Sequence, residues 1–181
     1  MGLFDALAVV VSVLDAAEVP HMVSGSVASA RHGETRATQD IDIVIDPTPD
    51  QVDRICDEFR ALGWYVGDGR AALDHRSQFN VIDTDTGWKI DLVIRRGRPF
   101  SLEEFARRVP TTLGEVDTWI VTVEDSILSK LEWAAASGSE RQLSDVRSML
   151  SQQGDTLDRA YLEHWAAELG VDDLLRRVEL G

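Results

Sequence analysis

The sequence predicts an α+β fold: a mixed β-sheet flanked by helices, followed by a C-terminal helical bundle. Three observations predict it. Residues 40–45 read Asp-Ile-Asp-Ile-Val-Ile, an alternation with the side-chain period of a strand. Residues 89–94, Lys-Ile-Asp-Leu-Val-Ile, form a second strand-like run that again carries an acid among apolar residues. From residue 122 onward the apolar residues recur at helical spacing instead. The boundary this implies puts an α/β core at 1–121 and a helical subdomain, packed on that core, at 122–181.

The first helix is predicted over 3–18, where Leu3, Leu7, Val10, Val11 and Leu14 make one stripe and Pro20 ends it. His21 to Ser24 is the first strand. Gly25 and Ser26 turn into a short helix, Val27 to Arg31, and a polar loop over 32–38 leads to the strand at Asp40. Thr48 or Asp50 caps the next helix, which carries Val52, Ile55, Cys56, Phe59 and Leu62 and stops at Gly63. Trp64 to Val66 is a short strand, and 70–77 is helical or irregular. Phe79–Ile82 and Trp88–Ile94 form a hairpin across 83–87. Ser101, with Glu104 completing a capping box, opens a helix to Arg108. Two strand pieces around Glu115-Val116-Asp117 extend the sheet edge. Thr122 or Glu124 opens a helix to Ser137, with Ile127, Leu128, Leu131 and Ala135 available for packing. A second helix spans Glu140 to Gln152, Asp155 caps a third, and Asp172 caps a last one.

Composition narrows the function. The 181 residues suit one domain, or one core with a small helical lobe, and 44% apolar content is enough for a proper core. The net charge of −14 argues against a standing, sequence-independent grip on nucleic acid, which needs Lys and Arg against phosphates. Cys56 is the only cysteine, so no internal disulfide or cysteine-based zinc site is expected, and the thiol reads as a small buried hydrophobe. Asp5 and Asp15 break the apolar N-terminal run, and no basic segment precedes it, so neither a leader nor a membrane span is expected and the protein reads as cytoplasmic.

The chemistry centres on three acids. Asp40 and Asp42 share one side of their strand, while Ile41, Ile43 and Ile45 face a core. If the strand at 89–94 pairs beside them, Asp91 joins the two. Three carboxylates are hard oxygen ligands suited to Mg²⁺, or to Mn²⁺, with phosphate oxygens and water completing the shell. Two such ions stabilise the attacking and leaving oxygens of a phosphoryl displacement. Gly25-Ser26 at a helix start offers backbone N–H groups to an anion. Arg31 and Arg36 read equally as phosphate contacts or as charge balance. Lys89 lies on the face of Asp91, where it either pairs with the acids or touches a nucleotide. Arg95-Arg96-Gly97-Arg98 is the one basic run: a surface cluster, or a landing site for a polyanion.

Gly25-Ser26, Asp40-x-Asp42 and the later Asp91 together resemble the nucleotidyltransferase fold of the polymerase β superfamily, over roughly residues 20–95. The resemblance implies that the Gly-Ser turn holds a triphosphate and that Asp40, Asp42 and Asp91 are catalytic and bind the metals. In the helical half, Ser126-x-x-x-Lys130 followed by Arg141-x-x-x-Asp145 is similar to motifs of AbiEii-type abortive-infection nucleotidyltransferases and their bacterial relatives. That similarity implies a nucleotide contact for Lys130, a site role for Asp145, and an antitoxin protein as partner.

The expected function is therefore Mg²⁺-dependent transfer of a nucleoside monophosphate from a nucleoside triphosphate to an acceptor hydroxyl. The acceptor is an RNA end, a protein or a small molecule, and a toxin of a toxin–antitoxin system fits the pattern. The alternative is a non-catalytic nucleotide- or partner-binding module of the same fold.

Overall fold

A computed structural model describes residues 2–32 and 40–179. In chain order the first elements are α1 (Leu3–Ala16), β1 (His21–Ser24), α2 (Gly25–His32), β2 (Asp40–Ile45), α3 (Pro49–Ala61) and β3 (Tyr65–Val66). They are followed by α4 (Gly69–Asp74), β4 (Gln78–Ile82), β5 (Lys89–Ile94), α5 (Pro99–Ala106), β6 (Val109–Leu113) and β7 (Val116–Ile120). The helical half holds α6 (Val123–Ser137), α7 (Glu140–Gln153), a 3₁₀ turn at Gly154–Thr156, α8 (Arg159–Glu168) and α9 (Asp172–Glu179). Contacts between backbones divide the chain into two units, Met1–Val27 with Ala37–Ile120, and Ala28–Arg36 with Val121–Gly181.

The first unit is built on one mixed seven-stranded sheet in the order β3-β4-β5-β2-β1-β7-β6. Its centre is the parallel pair β2 and β5, flanked by antiparallel β1 on one side and antiparallel β4 on the other. The alternation read from the sequence sets which side each residue takes. Ile41, Ile43 and Ile45 on β2, and Ile90, Leu92 and Ile94 on β5, are fully buried. Each such side chain contributes about 1.5–3 kcal/mol by leaving water. Leu7, Val10 and Leu14 of α1 and Val52, Ile55 and Phe59 of α3 are buried as completely, and α1 touches both α3 and β7. Cys56 is buried on the inner stripe of α3, and that burial pushes its thiol pKa up.

In the second unit α6 packs against α7 and α8, and α7 against α9. Ile127, Leu128 and Leu131 of α6 meet a core that includes Val146, Met149 and Leu162. Asp125, fully buried, accepts from the Thr122 hydroxyl at 2.6 Å and from the Tyr161 hydroxyl at 2.5 Å, which ties α8 to the start of α6. The Glu124 carboxylate accepts from the Asp158 backbone N–H at 3.0 Å.

Several expected boundaries move, each for a local reason. α2 begins at Gly25 rather than Val27. Thr48, not Asp50, caps α3, with Gln51 returning the second bond of the capping box. α5 starts at Pro99, whose missing N–H is harmless in a first turn, so Ser101 lies inside the helix and accepts from Arg98 Nε at 3.0 Å instead of capping. Ala134 rather than Ala135 faces the core. The 3₁₀ turn delays α8, so Asp158 and not Asp155 is its cap. Of the two strands around residues 115–117, β6 lies at the sheet edge, whereas β7 runs parallel to β1 inside the sheet.

Candidate active site

The sheet brings three acids to adjacent positions. In the register of β2 and β5, Asp42 stands opposite Asp91 and Asp40 opposite Lys89. Neighbouring strands are about 4.8 Å apart, so the carboxylates of Asp42 and Asp91 meet on one face. Burial deepens along the row, from exposed Asp40 through half-buried Asp42 to buried Asp91.

β1 carries Ser24 opposite Asp42 and donates its Oγ hydrogen bond to the Asp42 carbonyl at 3.4 Å. The next residue, Gly25, has φ +62° and lies so close to Asp42 that a Cβ there would be 1.9 Å from Oδ2. The chain turns into α2 at the one place where a side chain would collide with a site acid. Gly25 thus lies against Asp42, and no other residue type can occupy position 25 without displacing the Asp42 side chain.

Lys89 projects over the same row. Its Nζ donates to Asp91 Oδ2 at 2.7 Å and lies 3.8 Å from Asp40 Oδ1. The Asp91 carboxylate holds the Lys89 ammonium above the usual lysine range, with Asp40 and Asp42 adding attraction and partial burial working against it. The other oxygen of Asp91, Oδ1, is buried and has no hydrogen-bond partner among the described residues. Leaving a carboxylate oxygen so placed is costly, and it marks a position where a cationic or hydrogen-donating group fits.

Asp91 also borders a cleft of about 360 Å³ between α4 and β4. Among the described residues Asp68, His75, Ser77, Gln78 and Asn80 line it. Asn80 stands directly opposite Asp91 across the β4–β5 ladder. These lining residues escaped the sequence reading. The hairpin expected across 83–87 carries no register in the sequence; the observed pair is Ile82 with Lys89, and it puts Asn80 opposite the acid.

Lys130 and Asp145 come together in the second unit, with Nζ 2.6 Å from Asp145 Oδ2 and 3.0 Å from Gln142 Oε1. Both are buried. Arg36 lies outside the described residues, as does the Arg31 side chain. The basic run is largely engaged: Arg95 pairs with Asp46 at 2.8 Å, and Arg98 donates to Ser101.

Among the described residues no group of three or more His, Cys, Asp or Glu side chains has metal-binding geometry as it stands. The donor set nevertheless fits a hard divalent cation. Asp40, Asp42 and Asp91 offer only oxygen, and Asp91 Oδ1 is a buried acceptor without a donor.

No family model matches the sequence, and no curated protein matches it. Solved structures do match. One is ANT(2")-Ia in complex with adenylyl-2"-tobramycin, with a TM-score of 0.62 and 16% identity over 91% of this chain and 95% of that one. Another is an antigenic nucleotidyltransferase-like protein from Paracoccidioides brasiliensis, with a TM-score of 0.58 and 16% identity over 97% of this chain and 91% of that one. The lincosamide antibiotic adenylyltransferase LnuA, lincomycin-bound, has a TM-score of 0.56 and 13% identity over 81% of this chain and 96% of that one. No helix among the described residues is long and apolar enough to cross a membrane. The chain thus has the mixed sheet and flanking helices of a nucleotidyltransferase fold.

Proposed function

We propose that the protein is a nucleotidyltransferase that moves a nucleoside monophosphate from a nucleoside triphosphate to a hydroxyl of a small molecule. The observation that carries this reading is the triple juxtaposition of Gly25, Asp42 and Asp91: a glycine turn pressed against one acid, with a second acid in register beside it. A sheet centre that needed only stability would place apolar residues there.

Asp40, Asp42 and Asp91 would hold a divalent cation, Mg²⁺ or Mn²⁺, which when bound supplies charge neutralisation on the phosphates. The backbone around Gly25 and Ser26 receives the triphosphate. Asp91 accepts the proton of the acceptor hydroxyl. The hydroxyl oxygen bonds to the α-phosphorus, the bond to the β-phosphate oxygen breaks, and pyrophosphate leaves. The chain's contribution is positioning and electrostatics. Arg36, Lys130 and Asp145 remain candidates for nucleotide contacts.

The cleft beside Asp91 is the place for the acceptor. Its two carboxylates, Asp68 and Asp91, and its amides suit a neutral or cationic hydroxylated molecule and disfavour a polyanion. About 360 Å³ is the size of a small-molecule site. Two matching structures support the same reading, since ANT(2")-Ia is in complex with adenylyl-2"-tobramycin and LnuA is lincomycin-bound. An AbiEii-like toxin with an RNA acceptor and an antitoxin partner is the competing outcome of one experiment. Protein is incubated with each of four α-labelled nucleoside triphosphates, Mg²⁺, and either tobramycin, lincomycin or tRNA. Label on a small molecule, with pyrophosphate release and loss of both in Asp42→Ala, is the expected result. Label on tRNA alone would replace the acceptor class. No transfer, together with no thermal shift from any nucleotide, would leave a partner-binding module of the same fold.

A further inference from the structure

The two lysines of this chain, Lys89 and Lys130, make the same kind of bond in different settings. The Lys130 side chain is only 9% exposed and is held by Asp145 and Gln142 together. Lys89 is the first residue of β5, its side chain is 36% exposed, and it reaches its carboxylates from the solvent edge. A four-carbon stem anchored at a strand end swings to water without moving the backbone. The ammonium of Lys89 also touches two of the three acids that the proposed function assigns to a cation, at 2.7 Å and 3.8 Å.

We infer that Lys89 is a resident, movable counter-ion: it offsets the Asp40–Asp42–Asp91 cluster and must leave Asp91 Oδ2 for a divalent cation to use that oxygen. Lys89 is then a positioning residue that acts through Asp91, and it sets how tightly the site holds metal. The inference rests on the proposed metal-binding role of these acids. The physical basis is direct. An ammonium held against the acids lowers their attraction for a second cation below that of the same cluster without the lysine. Two cations cannot share Asp91 Oδ2 at bonding distance without strong repulsion. Lys89 also orients the buried Asp91, with Oδ2 bonded to the lysine and Oδ1 left over among the described residues.

The test is Mn²⁺ binding, read as free Mn²⁺ by electron paramagnetic resonance, on wild type, Lys89→Met, Lys89→Gln, Lys89→Arg and Asp42→Ala. Thermal unfolding of each variant without Mn²⁺ confirms that it is folded. Lys89→Met and Lys89→Gln are expected to bind Mn²⁺ on the order of tenfold more tightly, because a competing positive charge is gone. Lys89→Arg keeps the charge and is expected to stay near wild type. Unchanged or weaker Mn²⁺ binding in both neutral variants, with binding intact in wild type and lost in Asp42→Ala, would overturn the role of Lys89 while leaving the metal site standing. Unchanged Mn²⁺ affinity in the neutral variants, together with a smaller thermal shift from nucleotide than in wild type, would do the same and would make Lys89 a nucleotide contact. Absence of Mn²⁺ binding in every variant would overturn the site itself.

Discussion

Gly25 is pressed against the carboxylate of Asp42, with room for no Cβ: the nearest carboxylate oxygen would be 1.9 Å from it. Position 25 also sits at φ +62°, a region that L side chains adopt at a cost of about 1–2 kcal/mol. The two constraints have one consequence. Substituting Gly25 with Ala strains the turn and pushes Asp42 out of line with Asp91. Gly25→Ala is expected to lower stability by about 2 kcal/mol or more and to abolish nucleotide-dependent stabilisation. Denaturant unfolding, with a thermal-shift titration with nucleotide and Mg²⁺, checks both. A variant that keeps full nucleotide response would separate the turn from the site.

Asp91 has one oxygen bonded to Lys89 and one buried without a partner. Asp91→Asn keeps the shape and removes the charge. Transfer activity is expected to fall by about a hundredfold or more, as for loss of a group that takes the proton and stabilises developing charge. Folding stability is expected to change far less, because the amide still fills the space. Parallel measurement of labelled transfer and unfolding midpoint decides it: a large stability loss with a matching activity loss would make Asp91 structural.

The acids were legible in the sequence because a strand's period of two leaves no ambiguity about Asp40 and Asp42 once Ile41, Ile43 and Ile45 claim the core. Asp91 needed one further step, the pairing of β5 beside β2, which the sequence suggests through its similar apolar run but does not specify. What stayed hidden depends on registers and distances between segments far apart in the chain. Asn80 beside Asp91 needed the hairpin register to within one residue, and a slip of one reverses every face. The burial of Asp91, the unpartnered Oδ1 and the cleft at His75 and Gln78 are products of packing. The contact of Gly25 with Asp42 is of the same kind, though a glycine at a strand-to-helix turn was a visible hint. The resemblance in the helical half implies a nucleotide contact for Lys130 and a site role for Asp145. Their buried bond within the helical unit gives both a structural task that spacing alone does not show.

That bond makes its own prediction. Lys130 and Asp145 are 2.6 Å apart and both buried. Lys130→Met leaves the Asp145 carboxylate without its ammonium, and losing one partner of a buried pair costs about 3–5 kcal/mol. The double variant Lys130→Met, Asp145→Leu removes both charges and is expected to recover most of the loss. Urea unfolding of the wild type, the single variants and the double variant closes the cycle. Additive losses would show that the pair is not coupled in the folded protein.

The loop between β4 and β5 predicts an acid sensitivity. Asp83 accepts from the Thr86 hydroxyl and from the Asp85 backbone N–H, the latter at 3.0 Å. The Thr86 hydrogen bond is the main reason that the Asp83 carboxyl is held below its usual pKa, with the backbone N–H groups of Asp85 and Thr86 adding to it and burial opposing. The sign follows from the direction. A depressed folded-state pKa means that the ionised form binds the loop more strongly, so the stabilisation is fully present above the unfolded-state pKa, about 3.9 for an aspartate. It is lost as pH falls through the lower, folded-state value. Asp83→Asn is therefore expected to destabilise the protein at neutral pH by about 1 kcal/mol and to show a smaller further loss than wild type between about pH 4 and pH 2. The loop sets the register that places Asn80 opposite Asp91, so its loosening reaches the cleft as well as the hairpin. Stability measured across that pH window for wild type and Asp83→Asn tests the assignment, and parallel acid limbs for the two proteins would remove Asp83 from it.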